Sequence, residues 1–547
     1  MNAPVPPDTH PNPYAGRWVA RIKGQVIGHG GTPEQAQQAA KAARPKEKSE
    51  IVFVPFENPL QLPPLLQRLR GLLPDEQPLY LVGGAVRDLL LGRPINDFDF
   101  MLPTGAIPFA RRLADRLEAA FYPLDEEHDV GRILLTEDGQ RVTLDFICQR
   151  GFDLEADLRA RDFTINAIAL NLRQPDALLD PLGGAADLLA RRLRACAPTA
   201  FSEDPLRVWR GIRMAASFQL KIELETRAWM KAASPLLPGV SAERLRDELF
   251  QLLLAPKPAT SLRALDMLGA LEPVLPELAA LKGVEQPSPH IFDVWEHTLH
   301  VLASLEKCLG ILDENYPPEG ARDLQTSLIV LDLGRYRQQI SMHLKREEVE
   351  GRPLRALLFL AALYHDAAKP LTRGEKNGRI AFTGHADRGA ELVHQRAQDL
   401  RLSKAERTRL ESIVRHHMRP AQFTRHDETL ARRAIYRFFR DTGDAGVEVC
   451  LLSLADQLGK SGAALPESFL RGHLASLRSF LEAYYERAAE IVAPPPLLSG
   501  EDLIHTLGLK PGPKIGGLLA ALGEAQAAGE VSTRKQALEF VKMNSQL

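Results

Sequence analysis

The chain has 547 residues, 45% of them apolar and 25% charged, with a formal net charge of -2. That length exceeds what one hydrophobic core serves and points to about three or four domains of an ordinary globular protein. The balanced charge excludes a protein-wide field for polyanions, so any nucleic acid has to be held by local basic patches. Cys148, Cys196, Cys308 and Cys450 are far apart with no CxxC, which argues against a disulfide framework and a zinc ribbon. No apolar run approaches the length of a membrane span, and no basic segment followed by an apolar run opens the chain. A cytoplasmic protein without a membrane partner is the expectation.

Residues 1 to 15 are rich in Pro and polar side chains and read as disordered. Trp18 to His29 reads as two strands around a Lys23-Gly24 turn, followed by a helix near Pro33 to Ala43 and a strand at Ile51 to Val54. This strand-strand-helix-strand appendage, within residues 1–57, shows no chemistry of its own. The stretch from Leu79 to Phe100, LYLVGGAVRDLLLGRPINDFDF, is different. A strand runs into Gly83-Gly84, a short helix carries Arg87 and Asp88, and a second strand carries Asp97 and Asp99. Two glycines let backbone N–H groups approach a triphosphate closely, and the helix opening there presents its positive end to it. Alternate strand residues share a face, so Asp97 and Asp99 aim two carboxylates at one point, suited to a pair of Mg2+ ions.

With GG, RD and DFD in one strand-turn-helix-strand unit, this stretch resembles the signature of the class II tRNA nucleotidyltransferase and poly(A) polymerase family, a branch of the polymerase-beta-like nucleotidyltransferases. A helix from Pro108 to Ala120 and strands Arg132 to Thr136 and Arg141 to Cys148 complete a small mixed sheet. Asp145 lies mid-strand among apolar neighbours, where a carboxylate needs a compensating partner. It reads either as a third catalytic acid or as the partner of a neighbouring arginine. The segment from Asp157 through RDFTINA resembles the family's second motif, usually RRDFTINA, which implies that Arg161 binds nucleotide and Asp162 the ribose hydroxyls. The first arginine of the usual pair is Ala160 here. Only the run Phe146 to Ala160 separates the sheet aspartate from this motif, and in the family a shortened segment is associated with adding part of the CCA tail, such as two cytidines.

Leu178 to Leu188 resembles the family's DPxxG-x-x-DL turn. Phe201 to Met214 then reads as a helix with Ser202 as N-cap candidate, on which Asp204, Arg207, Arg210 and Arg213 recur about once per turn. The resemblance implies that Asp204 and Arg207 read the Watson-Crick edge of the incoming base, without a nucleic-acid template, while Arg210 and Arg213 face triphosphate or the tRNA backbone. Ser241 to Leu249 resembles a supporting neck helix.

From His290 to about Lys460 the chain is helical and carries the ordered set His297, His365-Asp366, His385, His416 and Asp456, with Lys369 one turn after the His-Asp pair. Imidazoles and carboxylates on bundle helices can converge on a divalent transition metal. His297, His365, Asp366 and Asp456 would hold one ion and His385 with His416 a second, with Lys369 offsetting charge on an attacked phosphate. This region resembles the HD superfamily of metal-dependent phosphohydrolases. Arg432, Arg433, Arg437 and Arg440 read as an amphipathic helix or as an RNA-facing stripe. After Ala493-Pro-Pro-Pro, a helical tail with Lys514 in a GPKIGG turn resembles the segment that bacterial members place against tRNA.

The expected fold class is therefore α+β: a small mixed-sheet nucleotidyltransferase head (60–196), an all-helical neck (197–285), an HD helical domain (286–492) and a helical tail (497–547), preceded by the ββαβ appendage. The expected function is transfer of CMP or AMP from CTP or ATP to the tRNA 3' end, using Mg2+ in the head and a divalent transition metal in the HD domain. The alternatives are a poly(A) polymerase and an HD hydrolase whose head only binds RNA.

Overall fold

The computed structural model describes residues 14, 17–31, 33–54, 62–74, 78–149, 153–175, 178–317, 323–423, 427–461, 465–508 and 510–545. Apart from Tyr14, the opening stretch read as disordered lies outside the described residues. The chain divides into two compact units, Met1–Leu237 and Pro238–Leu547.

The first unit begins with strands Arg17–Ile22 and Gln25–Gly30, helix Pro33–Ala43 and strand Glu50–Val54, the first strand lying between the other two. Ala20, Ala36 and Ala40 form its small core, with Trp18 and Ile51 packed against them. Next comes a seven-stranded sheet in the order Leu178–Leu179, Ala169–Asn171, Tyr80–Val82, Asp97–Leu102, Gln140–Cys148, Val130–Glu137, Ala120–Asp125. All neighbours are antiparallel except Asp97–Leu102 and Gln140–Cys148, which run parallel. Phe98 and Phe100 alternate into the core, and Phe100 stacks on Phe146 with ring centres 5.0 Å apart. That alternation leaves Asp97 and Asp99 on the opposite side of the strand, away from this core.

Two sequence expectations fail here. The helix expected to reach Ala120 spans Ala106–Leu117, because Glu118 adopts a left-handed cap with φ 53°. Residues Ala120–Asp125 then form the sheet's edge strand, where Pro123 is tolerated. Ser202 does not cap a continuous helix either: it lies inside Ala200–Glu203, and the longer helix is Arg207–Phe218. Pro205 is the cause, since the residue before a proline is pushed out of the helical region; Asp204 is extended, with φ -143° and ψ 95°.

The second unit is helical. The neck helix is Ala242–Leu254, and the following bundle includes Val294–Ile311, Leu354–Tyr364, His385–Asp399, Lys404–His416 and Gly446–Ser461. The tail helices Gly500–Leu507, Pro513–Ala528 and Arg534–Ser545 share a core that includes Leu503, Leu522 and Val541. Arginines of helix Glu428–Thr442 face this tail: Arg437 donates to Glu524 and Arg433 pairs with Glu530. No helix of the described residues is long and apolar enough to cross a membrane.

Candidate active site and metal cluster

In the first unit the glycine turn, the acidic strand, the loop before Phe163 and helix Arg207–Phe218 surround a cavity of about 560 Å³. Its wall receives Gly83, Gly84 and Arg87 from the turn and its helix, Arg161 and Asp162 from the loop, and Asp204, Arg207, Arg210 and Arg213 from the last helix and its approach. Asp99 opens onto the same space.

Asp145 lies beside Asp99 in parallel register, so it shares the face of Asp97 and Asp99. It is also gripped by Arg132, whose Nε and Nη2 each donate to it over 2.7 Å. The geometry thus shows the reading of Asp145 as the partner of a neighbouring arginine. Loss of water around Asp99, together with Asp145 and Asp97, holds its carboxyl above the ordinary range, against the partial relief of Arg161 and Arg132. Gly83 has φ +71°, and a Cβ there would stand 3.1 Å from Arg161 Nη1 and 3.4 Å from Asp99 Oδ2. The turn backbone is therefore threaded between a cation and an anion, a place open only to glycine.

Helix Arg207–Phe218 is fastened along one face. Arg207 Nη2 donates to the Ala160 carbonyl over 3.2 Å and Arg210 Nη1 to Asp162 over 3.3 Å. Met214 Sδ accepts from Asn166 over 3.4 Å, and the Phe218 ring lies 4.1 Å from the Arg87 guanidinium. Asp204 Oδ1 accepts from the Leu206 N–H over 3.3 Å.

Sequence reasoning gave Asn166 no role. The structure makes it a buried hub: its Oδ1 accepts from Arg87 over 2.7 Å, while its Nδ2 donates to Asp162 over 3.0 Å. The signal was its place in the FTINA run beside Asp162. Arg87, expected at the triphosphate, also spends Nε and Nη2 on Asp88, over 3.1 and 2.8 Å.

The second unit gathers the histidines. His297 Nε2 lies 3.4 Å from Asp366 and 3.1 Å from Asp456. His365 Nε2 is 3.1 Å and His385 Nε2 3.5 Å from Asp366. Two triads each offer ligand atoms within 4.8 Å of one another: His297, His365 and Asp366, and Asp366, His385 and His417. The second corrects the expectation for His416. Leu410, Ile413, Val414 and His417 form the buried stripe of their helix at spacing i, i+3, i+4, i+7, which turns His416 aside.

His365, His385 and His417 place Nδ1 at 2.8, 2.7 and 2.7 Å from the carbonyls of Ala362, Phe382 and Val414. A carbonyl only accepts, so Nδ1 carries the proton and Nε2 keeps its lone pair, the arrangement that orients an imidazole toward a metal. Buried Nε2 atoms of His297 and His365 lack a hydrogen bond of normal geometry among the described residues. Nitrogen donors mixed with carboxylates therefore fit a divalent transition metal.

Lys369 Nζ sits 2.6 Å from Asp366, and Lys460 Nζ 2.9 Å from Asp456. Burial alone would raise both carboxyls. Instead Lys369 holds Asp366, and Lys460 holds Asp456, well below the usual range. Burial pushes the His417 imidazole down to about 3.

These two constellations, a nucleotide-sized cavity beside clustered carboxylates and a histidine-aspartate cluster in a helical bundle, coincide with known families. The chain matches a poly A polymerase head domain over residues 79–194, an RNA- and SrmB-binding site of polymerase A over 219–282, an HD domain over 294–459 and a tRNA nucleotidyltransferase domain 2 over 475–541. It is 36% identical to the A-adding tRNA nucleotidyltransferase of Deinococcus radiodurans, across 84% of this chain and 94% of that one. It is 33% identical to the CC-adding tRNA nucleotidyltransferase of Geobacter sulfurreducens, across 84% and 91%. A solved CCA-adding enzyme with CTP shares the fold at TM-score 0.57 and 20% identity, covering 89% of this chain and 97% of its own. The molecule is a nucleotidyltransferase by class. The chain belongs to the class II tRNA nucleotidyltransferase and poly(A) polymerase family.

Proposed function

We propose that the chain transfers CMP or AMP from CTP or ATP to the 3' hydroxyl of tRNA in the cytoplasm, releasing pyrophosphate, and adds only part of the CCA tail. The observation that carries this is that one cavity is lined by Asp99 together with Arg161, Asp204 and Arg207. The partial tail is supported by the short run Phe146 to Ala160 and by the A-adding and CC-adding relatives.

Asp97, Asp99 and Asp145 would offer an oxygen-only donor set of the kind that suits Mg2+, which when bound would offset the charge of the triphosphate and acidify the attacking hydroxyl. The protein's own groups do the positioning. Arg161 and the Gly83-Gly84 backbone hold phosphate oxygens; Asp162 meets the ribose. Asp204 and Arg207 present acceptor and donor to the base edge, each anchored by its backbone hydrogen bond, so a base with the wrong pattern leaves one of them unpaired. Arg210 and Arg213 complete the cationic wall toward phosphate.

In the HD domain, His297, His365, Asp366 and Asp456 would hold one ion, with Asp366, His385 and His417 around a second. A cluster of this composition suits hydrolysis of a phosphate ester, with Lys369, 2.6 Å from Asp366, offsetting charge on the attacked phosphate.

Labelled CTP and ATP offered to tRNA lacking its tail, and to tRNA ending in two cytidines, tests the reading. Growth that stops after CC, or a single A added only to the CC-ended substrate, supports it. Long A tracts on any RNA without CMP incorporation would establish a poly(A) polymerase instead. A main activity that survives Asp97→Ala but not His365→Ala would establish the HD hydrolase.

A further inference from the structure

The ββαβ module at residues 17–54 lies outside every matched domain. Its charge is unlike that of the rest of the molecule. It carries seven Lys and Arg against three Asp and Glu, a net of +4 in a chain whose total is -2. Four of those cations, Lys41, Arg44, Lys46 and Lys48, fall within eight residues at the end of helix Pro33–Ala43 and in the turn after it, and all four are exposed. A helix C-terminus accounts for one or two favourable cations, not four. Arg44 touches Glu47 at 3.4 Å, an exposed pair of little strength, and Lys41, Lys46 and Lys48 have no ion pair among the described residues.

The module is not a loose tether. A Cβ on Gly31 would fall 1.5 Å from the Asp180 carbonyl oxygen, so the two backbones are in direct contact. Gln35 accepts from the Gly31 N–H over 3.0 Å and donates to the Pro181 carbonyl over 2.9 Å, stitching module to turn. Arg17 fills the space beside Gly183, where a Cβ would meet its Nη2 at 2.6 Å. That turn in turn supports the nucleotide site: a Cβ on Gly184 would fall 1.9 Å from the Thr164 carbonyl, two residues past Asp162. The module's own core, three alanines with Trp18 and Ile51, is too small to hold it folded alone, so docking on this turn is part of its stability.

We propose that residues 17–54 are an additional RNA-backbone contact, a basic ledge fixed to the head through the 180–184 turn, whose exposed Lys41, Arg44, Lys46 and Lys48 take phosphates of the tRNA being extended. The proposal rests on the tRNA reading above. A near-neutral enzyme gains its grip on a polyanion from local patches, and a ledge rigidly joined to the nucleotide site holds RNA in register with it rather than at the end of a leash. No base contact is implied, so the ledge adds affinity without sequence preference.

The test uses the full chain with Lys41, Arg44, Lys46 and Lys48 changed together to Gln, and measures tRNA binding as a function of salt. Each lost phosphate contact removes about 0.7–0.9 from the log–log salt slope, so the quadruple variant should have a slope shallower by about 3 and bind tRNA at least about tenfold more weakly at low salt. Its thermal midpoint stays at the unsubstituted value, because all four side chains are exposed. A second variant, Gln35→Ala, keeps every charge but loosens the stitch, and should weaken tRNA binding while leaving the salt slope intact. Unchanged affinity and slope in the quadruple variant overturn the proposal, as does a ledge found to bind another protein while tRNA affinity is unaffected. If the unsubstituted protein itself neither binds nor extends tRNA, the functional reading fails and not merely the ledge.

Discussion

The Arg87 guanidinium lies 4.1 Å from the centre of the Phe218 ring, and Arg93 lies 4.5 Å from the same ring. The last residue of the helix that carries Arg207, Arg210 and Arg213 is thus held by two cations from the glycine-turn segment. Each such contact is worth about 0.5–2 kcal/mol. Phe218→Ala should therefore let the helix slide, lowering kcat/KM for the nucleotide about tenfold and raising misincorporation of UTP, whereas Phe218→Tyr keeps both near normal. Steady-state kinetics with each nucleotide checks this.

Asn166 joins Arg87 to Asp162 inside the protein. Asn166→Ala removes one hydrogen bond from each of two buried charged groups, leaving Arg87 with Asp88 and Asp162 with Arg210, at a cost of about 1–3 kcal/mol in all. We expect a lower thermal midpoint and a kcat/KM reduced by about one to two orders of magnitude. Asn166→Asp should be worse than Ala in rate, because it sets a second carboxylate against Asp162. Calorimetry alongside single-turnover incorporation separates the two effects.

The histidine cluster gives a pH-dependent prediction. The His417 imidazole is pushed down to about 3 from an ordinary 6.5, so the folded protein keeps it neutral where the unfolded chain protonates it. Its contribution to stability is complete above about pH 6.5 and drains away as the pH falls toward 3. Asp366 and Asp456, held well below the usual range, give up theirs only under about pH 4. Metal-stripped protein should lose unfolding free energy across the first window, and His417→Gln should flatten that loss. Metal analysis of the loaded protein should show reduced stoichiometry for His417→Gln and none of this reduction for His416→Gln.

The arginines of helix Glu428–Thr442 bear on the tail. Arg437 and Arg433 reach Glu524 and Glu530 on or beside helix Pro513–Ala528. Exposed pairs of this kind are worth about 0–1 kcal/mol each. Arg433→Ala with Arg437→Ala should speed proteolytic release of the tail and change tRNA affinity less than about twofold. A loss of affinity with an intact tail would return these side chains to an RNA-facing role.

The parts of the site carried by short local patterns were legible in the sequence. Gly83, Asp99, Arg161 and Asp204 each sit in a motif whose backbone consequence is local, a turn, a strand face or a loop, and all four reach one cavity. What escaped depends on packing over distance. His416 and His417 differ only in which side of a helix meets the bundle, and the deciding stripe, Leu410 to His417, spans two turns. Asn166 is a polar residue in an apolar run, and its partners are 79 and 4 residues away. The break at Asp204 was written in Pro205, whose effect falls on the residue before it. The edge strand Ala120–Asp125 holds its place by pairing with Val130–Glu137, which no local propensity announces.

Asp97–Leu102 and Gln140–Cys148 lie side by side in the same direction, so the chain between them travels over the sheet and back before Asp145 can reach Asp99. The meeting of these acids is thus a long-range event, costly in chain entropy and absent from any early hairpin. As the protein assembles, its chemistry arrives after most of its architecture, and a partly folded chain carries the motifs without the means to use them.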